Sequence, residues 1–140
     1  MIIGTIVDGI VIDHIPAGQG MKLYHDLKLD DLACEVALIK NASSRKLGKK
    51  DIIKINDVIN INREILGFFD PHITVNIIHK GERTEKVHPP LPEQLTNLIF
   101  CKNPRCITSA EQELPHIFRL TDRETLRYRC IYCETKAERR

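Results

Sequence analysis

Four cysteines near the C-terminal end constrain this chain more than any other feature. They fall in two pairs, Cys101-Lys-Asn-Pro-Arg-Cys106 and Cys130-Ile-Tyr-Cys133, with 23 residues between the pairs. Two tight loops that each donate two thiolates are the usual way to surround a tetrahedral metal, and 23 residues suffice for an antiparallel excursion that returns the second loop to the first. The pattern predicts one closed, structural Zn2+ site per chain. With four thiolates bound, no coordination position is left for an activated water, so the metal is not catalytic. Disulfides would need an oxidising compartment, and the opening Met1-Ile-Ile-Gly has neither the basic nor the long apolar region of a secretory leader. The expected setting is cytoplasmic. Cys130 and Cys133 do not stand at the strand-to-helix step of a thioredoxin-like unit, which argues against a redox pair.

A segment as short as the one around these cysteines cannot fold on apolar burial alone, so the metal must contribute, on the order of 10 kcal/mol for structural zinc. The whole chain has 140 residues and is 42% hydrophobic, enough for one moderate core or two small ones. No apolar run approaches the roughly 20 residues that cross a bilayer, so no membrane partner is expected. Net charge is +2, with 12 basic and 13 acidic residues up to position 97 and 9 and 6 beyond it. Neither part is polarised enough to announce a nucleic-acid surface.

Taken from its start, the chain predicts a bent or bulged strand over Ile2–Asp13, rich in β-branched residues and interrupted by Gly4 and Gly9. Pro16 can begin a helix, and Met21, Leu23, Tyr24, Leu27 and Leu29 recur at helical spacing over Ala17–Leu29. Ala33–Ile39 is the next strand, with Cys34 a small buried filler. Asn41–Lys50 is polar and turn-rich and is assigned to a loop. Asp51–Val58 returns to strand. A short helix spans Asn62–Phe69, capped by Asn62 and ended at Asp70-Pro71. His72–His79, a tight turn at Lys80-Gly81-Glu82 and Arg83–Val87 form a hairpin.

Strand, helix, two strands, helix and strand, with one further hairpin strand, is the split βαβ order. The expected class is α+β: a ferredoxin-like antiparallel sheet with two helices on one face, followed by a small all-β zinc-binding domain. His88-Pro-Pro-Leu-Pro-Glu93 can continue neither ladder nor helix and places the boundary between domains 1–92 and 93–140. In the second, His116–Leu120 and Thr125–Arg129 are strands joined by Thr121–Glu124.

No convincing catalytic set appears. Asp13 and His14 are adjacent on a strand, so their side chains point to opposite faces and do not form a dyad. Lys54 is more telling. It lies among isoleucines, where an ammonium group needs an acceptor, and with Lys49, Lys50 and Lys86 it suggests an anionic ligand such as a polyphosphate.

Ile10-Val-Ile-Asp-His-Ile-Pro-Ala17, Gly48-Lys-Lys-Asp-Ile-Ile-Lys-Ile55, Thr74-Val-Asn76, Pro90-Leu-Pro92 and the four cysteines, in this order, resemble the regulatory chain of aspartate carbamoyltransferase over residues 3–134. The resemblance implies a non-catalytic subunit of pyrimidine biosynthesis whose N-terminal domain binds CTP and ATP and whose zinc domain docks on a separate catalytic chain. It further implies a regulatory-chain homodimer, three of which bridge two catalytic trimers. The positions matching the family's nucleotide pocket are Ile6, Asp13, His14, Lys54, Asn76, Ile78 and Lys86. His14 and Lys86 would face phosphates, Lys54 and Asp13 the ribose and base, and the backbone of Ile6 and Ile78 the base edge. The chain departs from the pattern at Gly81, where family members can carry an aromatic. On the zinc domain, Asn103, Glu111 and Tyr132 are candidates to meet the partner.

The alternative is a zinc-ribbon nucleic-acid-binding protein, which would account for the cysteines and for Arg119, Arg123, Arg127 and Arg129. Glu111, Glu113, Asp122 and Glu124 dilute that charge.

Overall fold

The computed structural model describes residues 7–137, divided into two compact units, Met1–Leu91 and Pro92–Arg140. The first is built on a run of alternating apolar residues. In β1 (Gly9–Pro16), Ile10 and Ile12 are buried on the same face. They stand opposite Ile55 and Ile53 of the antiparallel β3 (Gly48–Ile55). On its other side β1 pairs with β4 (Thr74–His79), where Val75 lies opposite Ile12. With β2 (Val36–Ser44) outside β3 and β5 (Glu82–Val87) outside β4, the sheet runs β2-β3-β1-β4-β5, antiparallel throughout.

Two helices contribute to the core on the buried face of this sheet, Leu23 from α1 (Gly20–Asp26) and Leu66 from α2 (Arg63–Phe69). Both leucines have no exposed surface. The α+β ferredoxin-like arrangement expected from the element order is therefore the one observed, with β5 added at one edge. Asn62 caps α2 as its type predicts: its side chain accepts from the N–H groups of Glu64 and Ile65 at 3.0 and 3.3 Å, while Asp70 closes the other end. The β4–β5 turn has Lys80 at φ 52° and Gly81 at φ 79°, the two positive values that a two-residue hairpin needs.

Several boundaries differ from expectation: β2 begins at Val36 rather than Ala33, β3 ends at Ile55 rather than Val58, and β4 begins at Thr74 rather than His72. The helix begins at Gly20 rather than Ala17, because Pro16 is taken into β1, and it stops at Asp26, with a 3-10 turn following at Leu29–Asp31. The segment assigned to a loop, 41–50, is a β-hairpin. Residues up to Ser44 pair with the start of β3, and a register shift between Ile39 and Ala42, with Asn41 at φ 58°, absorbs the polar residues into a bulge. Ladder hydrogen bonds satisfy this backbone whatever its side-chain polarity. In β1 the irregularity sits between Ile12 and Ile15, at His14 with φ 58°, not at a glycine. The part of that strand expected over residues 2–6 lies outside the described residues.

The second unit is a three-stranded antiparallel sheet, β6 (Gln94–Thr96), β7 (Ile117–Asp122) and β8 (Arg127–Cys130), with a one-turn helix α3 (Ile107–Ala110) in the first cysteine loop. Neither β6 nor α3 was foreseen, since three and four residues are too few to display a periodicity. Leu95, Phe118 and Tyr128 are buried at its centre. The Tyr128 hydroxyl donates to the Pro92 carbonyl, giving the buried phenol its polar partner.

Candidate functional site

The two cysteine loops converge. All four Sγ atoms lie within 4.8 Å of one another, with Cys101 to Cys133 at 3.6 Å and Cys106 to Cys130 at 3.8 Å. None is in a disulfide. Four thiolates bound at about 2.3 Å to one tetrahedral centre stand about 3.8 Å apart, so the spacing and the all-sulfur donor set fit a soft dication. Cys106 and Cys130 are buried, and Cys101 and Cys133 lie nearer the surface. The loops are held from behind: the Cys101 N–H donates to His116 Nδ1 at 3.0 Å, and the His116 ring packs edge-on against Phe100.

The thiols differ in acidity. Burial, reinforced by the neighbouring sulfurs, pushes Cys101 up to about 12, against the backbone N–H of Asn103. Cys130 is raised for the same reasons. At Cys133 burial acts in the same sense, but the hydroxyl and N–H of Thr135, the Asn103 amide and the Cys101 thiol together hold the thiolate down to about 6. Thr135 Oγ1 lies 3.1 Å from Cys133 Sγ, and the Thr108 hydroxyl donates to Cys106 Sγ at 3.1 Å.

The second candidate lies on the face of the five-stranded sheet turned away from the core. Because Ile12, Ile53 and Val75 point inward, their strand neighbours point out. One cross-strand row there reads Ala37, Lys54, Val11, Asn76, Lys86, one residue from each strand. Lys54, Asn76 and Lys86, far apart in sequence, are thereby lined up on one surface. Asn76 Oδ1 is buried and has no hydrogen-bond partner among the described residues. A buried amide acceptor left unpaired costs about 1–3 kcal/mol, so it favours a donor from outside the chain.

Two residues along β1 from Val11, Asp13 pairs with Lys50 at 2.9 Å and stands opposite Thr74. His14 turns away from the Asp13 carboxylate with its ring: its Nδ1 lies 3.0 Å from Thr74 Oγ1, while its backbone N–H donates to Asp13 Oδ1. Burial lowers the His14 pKa below its ordinary 6.5, and Lys50, Lys46 and Lys86 add to the lowering against Asp13. At the opposite end Ile78 faces Gly9, and the hairpin turn is tied across: the Gly81 N–H donates to the Val7 carbonyl at 2.8 Å and the Lys80 N–H to Asp8 Oδ1 at 3.2 Å. Ile6 lies outside the described residues.

Asp51 is the residue that sequence inspection passes over. It is fully buried, and its carboxylate accepts three backbone N–H groups, from Gly18, Gly20 and Asn41 at 3.1, 2.9 and 3.0 Å. The one available signal was an acidic residue at an inward position of a strand, in register with Ile53 and Ile55.

Two family descriptions match the chain: "Aspartate carbamoyltransferase regulatory chain, allosteric domain" over residues 1–89, and "metal binding domain" of the same chain over residues 93–140. Among similar proteins, an aspartate carbamoyltransferase regulatory chain of Clostridium botulinum is 51% identical over 132 residues, 94% of this chain and 90% of the relative. That of Clostridium acetobutylicum is 49% identical over the same shares. The regulatory chain of Bifidobacterium longum is 44% identical over 138 residues, 99% of each.

Proposed function

This chain belongs to the family of aspartate carbamoyltransferase regulatory chains, and from that premise we propose that it is the subunit through which CTP and ATP adjust the catalytic chain. It is a non-catalytic chain with an allosteric and a metal-binding domain. The proposed division is 1–92 for the nucleotide domain and 93–140 for the domain that docks. The observation that carries the nucleotide reading is the row Lys54, Val11, Asn76, Lys86, with an amide oxygen that has no partner among the described residues, three residues along β1 from His14. Lys86 and His14 suit phosphates. Asp13 and Lys54 suit ribose and base, and the backbone of Ile6 and Ile78 is assigned the base edge by correspondence with the family.

The proposed metal is Zn2+, held by Cys101, Cys106, Cys130 and Cys133, where it would cross-link the two loops without an open coordination position. Around that cluster, Phe100, Ile107, Ile131 and Tyr132 are all exposed, each within one or two residues of a cysteine ligand. Apolar side chains held outward on rigid loops suit a protein partner, here the catalytic chain. Edge strand β2, with Val36–Ile39 only half buried, offers a ladder for the second regulatory chain of a homodimer, and three such dimers would bridge two catalytic trimers. Nucleotide binding then biases the quaternary equilibrium by whatever difference in affinity the two states show, about 1–3 kcal/mol for typical couplings.

A nucleic-acid partner is not part of this proposal: Arg123 pairs with Glu93, and the Arg129 guanidinium donates to the Glu134 carbonyl. Nor is a membrane, since no helix among the described residues is long and apolar enough to cross one. The setting proposed is cytoplasmic, with the cysteines reduced.

Calorimetric titration of the Zn2+-loaded chain with CTP and ATP tests the reading. Binding that Lys86→Ala weakens more than tenfold is the expected result. Failure of both nucleotides to bind would leave the N-terminal domain a structural adaptor.

A further inference from the structure

Four thiolates around a dication leave a net charge of −2, and two of the sulfurs, on Cys106 and Cys130, are 1% exposed. Excess charge on buried sulfur is stabilised only by donors aimed at it. Backbone N–H groups supply some: that of Asn103 on Cys101, those of Tyr132 and Cys133 on Cys130, and that of Thr135 on Cys133. Side-chain donors are scarcer, and their placement is regular. The second cysteine of each loop is followed two residues later by a threonine, Cys106-Ile-Thr108 and Cys133-Glu-Thr135. In both loops the threonine oxygen lies 3.1 Å from the sulfur of that cysteine.

Neither hydroxyl is placed by accident of exposure. Thr108 is 3% exposed and donates directly to Cys106 Sγ. Thr135 Oγ1 accepts from the Asn103 amide Nδ2 at 3.1 Å. The Cys133 thiol also donates to Thr135 Oγ1, and because an amide nitrogen can only donate, deprotonation of Cys133 on metal binding leaves the Thr135 proton as the one that can point at its sulfur. The chain Asn103 to Thr135 to Cys133 thus starts in the first loop and ends on a sulfur of the second. It polarises the hydroxyl toward the thiolate and links the loops before any metal does.

We infer that Thr108 and Thr135 are matched positioning residues for the metal, one per loop, whose hydroxyls donate to the bound thiolates of Cys106 and Cys133 and set the strength and electronic character of those two ligands. The inference rests on the four-thiolate metal site and adds to it two residues that bind nothing themselves. Removing partners of this kind usually costs 10- to 100-fold in metal affinity.

The test uses the full chain as Thr108→Val, Thr135→Val and the two serine variants. Valine keeps the branched shape and removes only the hydroxyl. Competition with a chromophoric chelator should show Zn2+ held about 10- to 100-fold more weakly by each valine variant, and near wild-type strength by each serine variant. With Co2+ in place of Zn2+, loss of a donor to sulfur raises the energy of the sulfur lone pairs, so the thiolate-to-cobalt charge-transfer band should move to longer wavelength in the valine variants alone. A merely structural threonine would loosen the metal without moving that band. Valine variants with wild-type affinity and an unshifted band would overturn the inference, as would serine variants that fail to restore either readout. A wild-type chain that binds neither metal would instead overturn the metal reading beneath it.

Discussion

His14 shows how one side chain can report on a ligand. In the free chain, burial, against the opposing Asp13 carboxylate and with smaller help from nearby lysines, keeps the imidazole pKa below 6.5, whereas in the unfolded chain it titrates near that value. The unfolded state therefore takes up its proton first as pH falls, and this residue makes the free protein less stable on descending from 6.5 through the folded-state value. A phosphate beside the ring reverses the balance, because it favours the imidazolium. Nucleotide affinity should accordingly rise severalfold between about pH 8 and about pH 6, with a proton taken up on binding. Calorimetry in buffers of different ionisation enthalpy measures both. His14→Asn should flatten the dependence, and a pH-independent affinity in the parent chain would remove His14 from the phosphate end of the pocket.

Asp51 acts between elements. Its carboxylate joins the β1–α1 connection, at Gly18 and Gly20, to the β2 bulge at Asn41, and it does so from the strand that also carries Lys50 and Lys54. Gly20 completes the fit: a Cβ there would lie 2.7 Å from Leu38 Cδ1 and 2.8 Å from Asp51 Oδ2. Asp51→Ala would leave three donors without their acceptor and should cost about 3 kcal/mol or more in urea unfolding, while Gly20→Ala should cost about 1–3 kcal/mol. A loss under about 1 kcal/mol for Asp51→Ala would show that the connection has other support. Elements announced by local chemistry were legible in the sequence: the Asn62 cap, the Lys80-Gly81 turn and the cysteine loops each carry their signal within a few residues. The 41–50 hairpin was not, because its strands are polar and show no apolar alternation, and the Asp51 latch was not, because its partners stand 10 or more positions away. Lys54 and Lys86 stood out in the sequence as cations in want of an anion, but their alignment with Asn76 did not, since the three come from three strands whose register no local pattern specifies.

At the scale of the molecule, the two units have separate cores. One is the isoleucine-rich cluster from Ile10 to Val75, and the other is Leu95, Phe118 and Tyr128 with the buried Cys106 and Cys130. Two cysteines thus serve both as core and as candidate metal ligands, so stripping the metal should unfold residues 92–140 and leave the N-terminal sheet, with the nucleotide binding proposed for it, intact. Amide spectra of the full chain before and after chelation would show dispersion lost only for the C-terminal residues, together with loss of binding to the catalytic chain. Simultaneous collapse of the N-terminal amides would refute the independence of the cores. The order of the two units along the chain sets the order of assembly. Every strand of the five-stranded sheet ends by Val87, and the clustered cysteines begin at Cys101. The N-terminal unit comes first in the chain and holds none of the four clustered cysteines, so it can fold whether or not metal is at hand. On the proposed reading, chains made when metal is scarce would be sensors without couplers, able to sequester nucleotide yet transmit nothing.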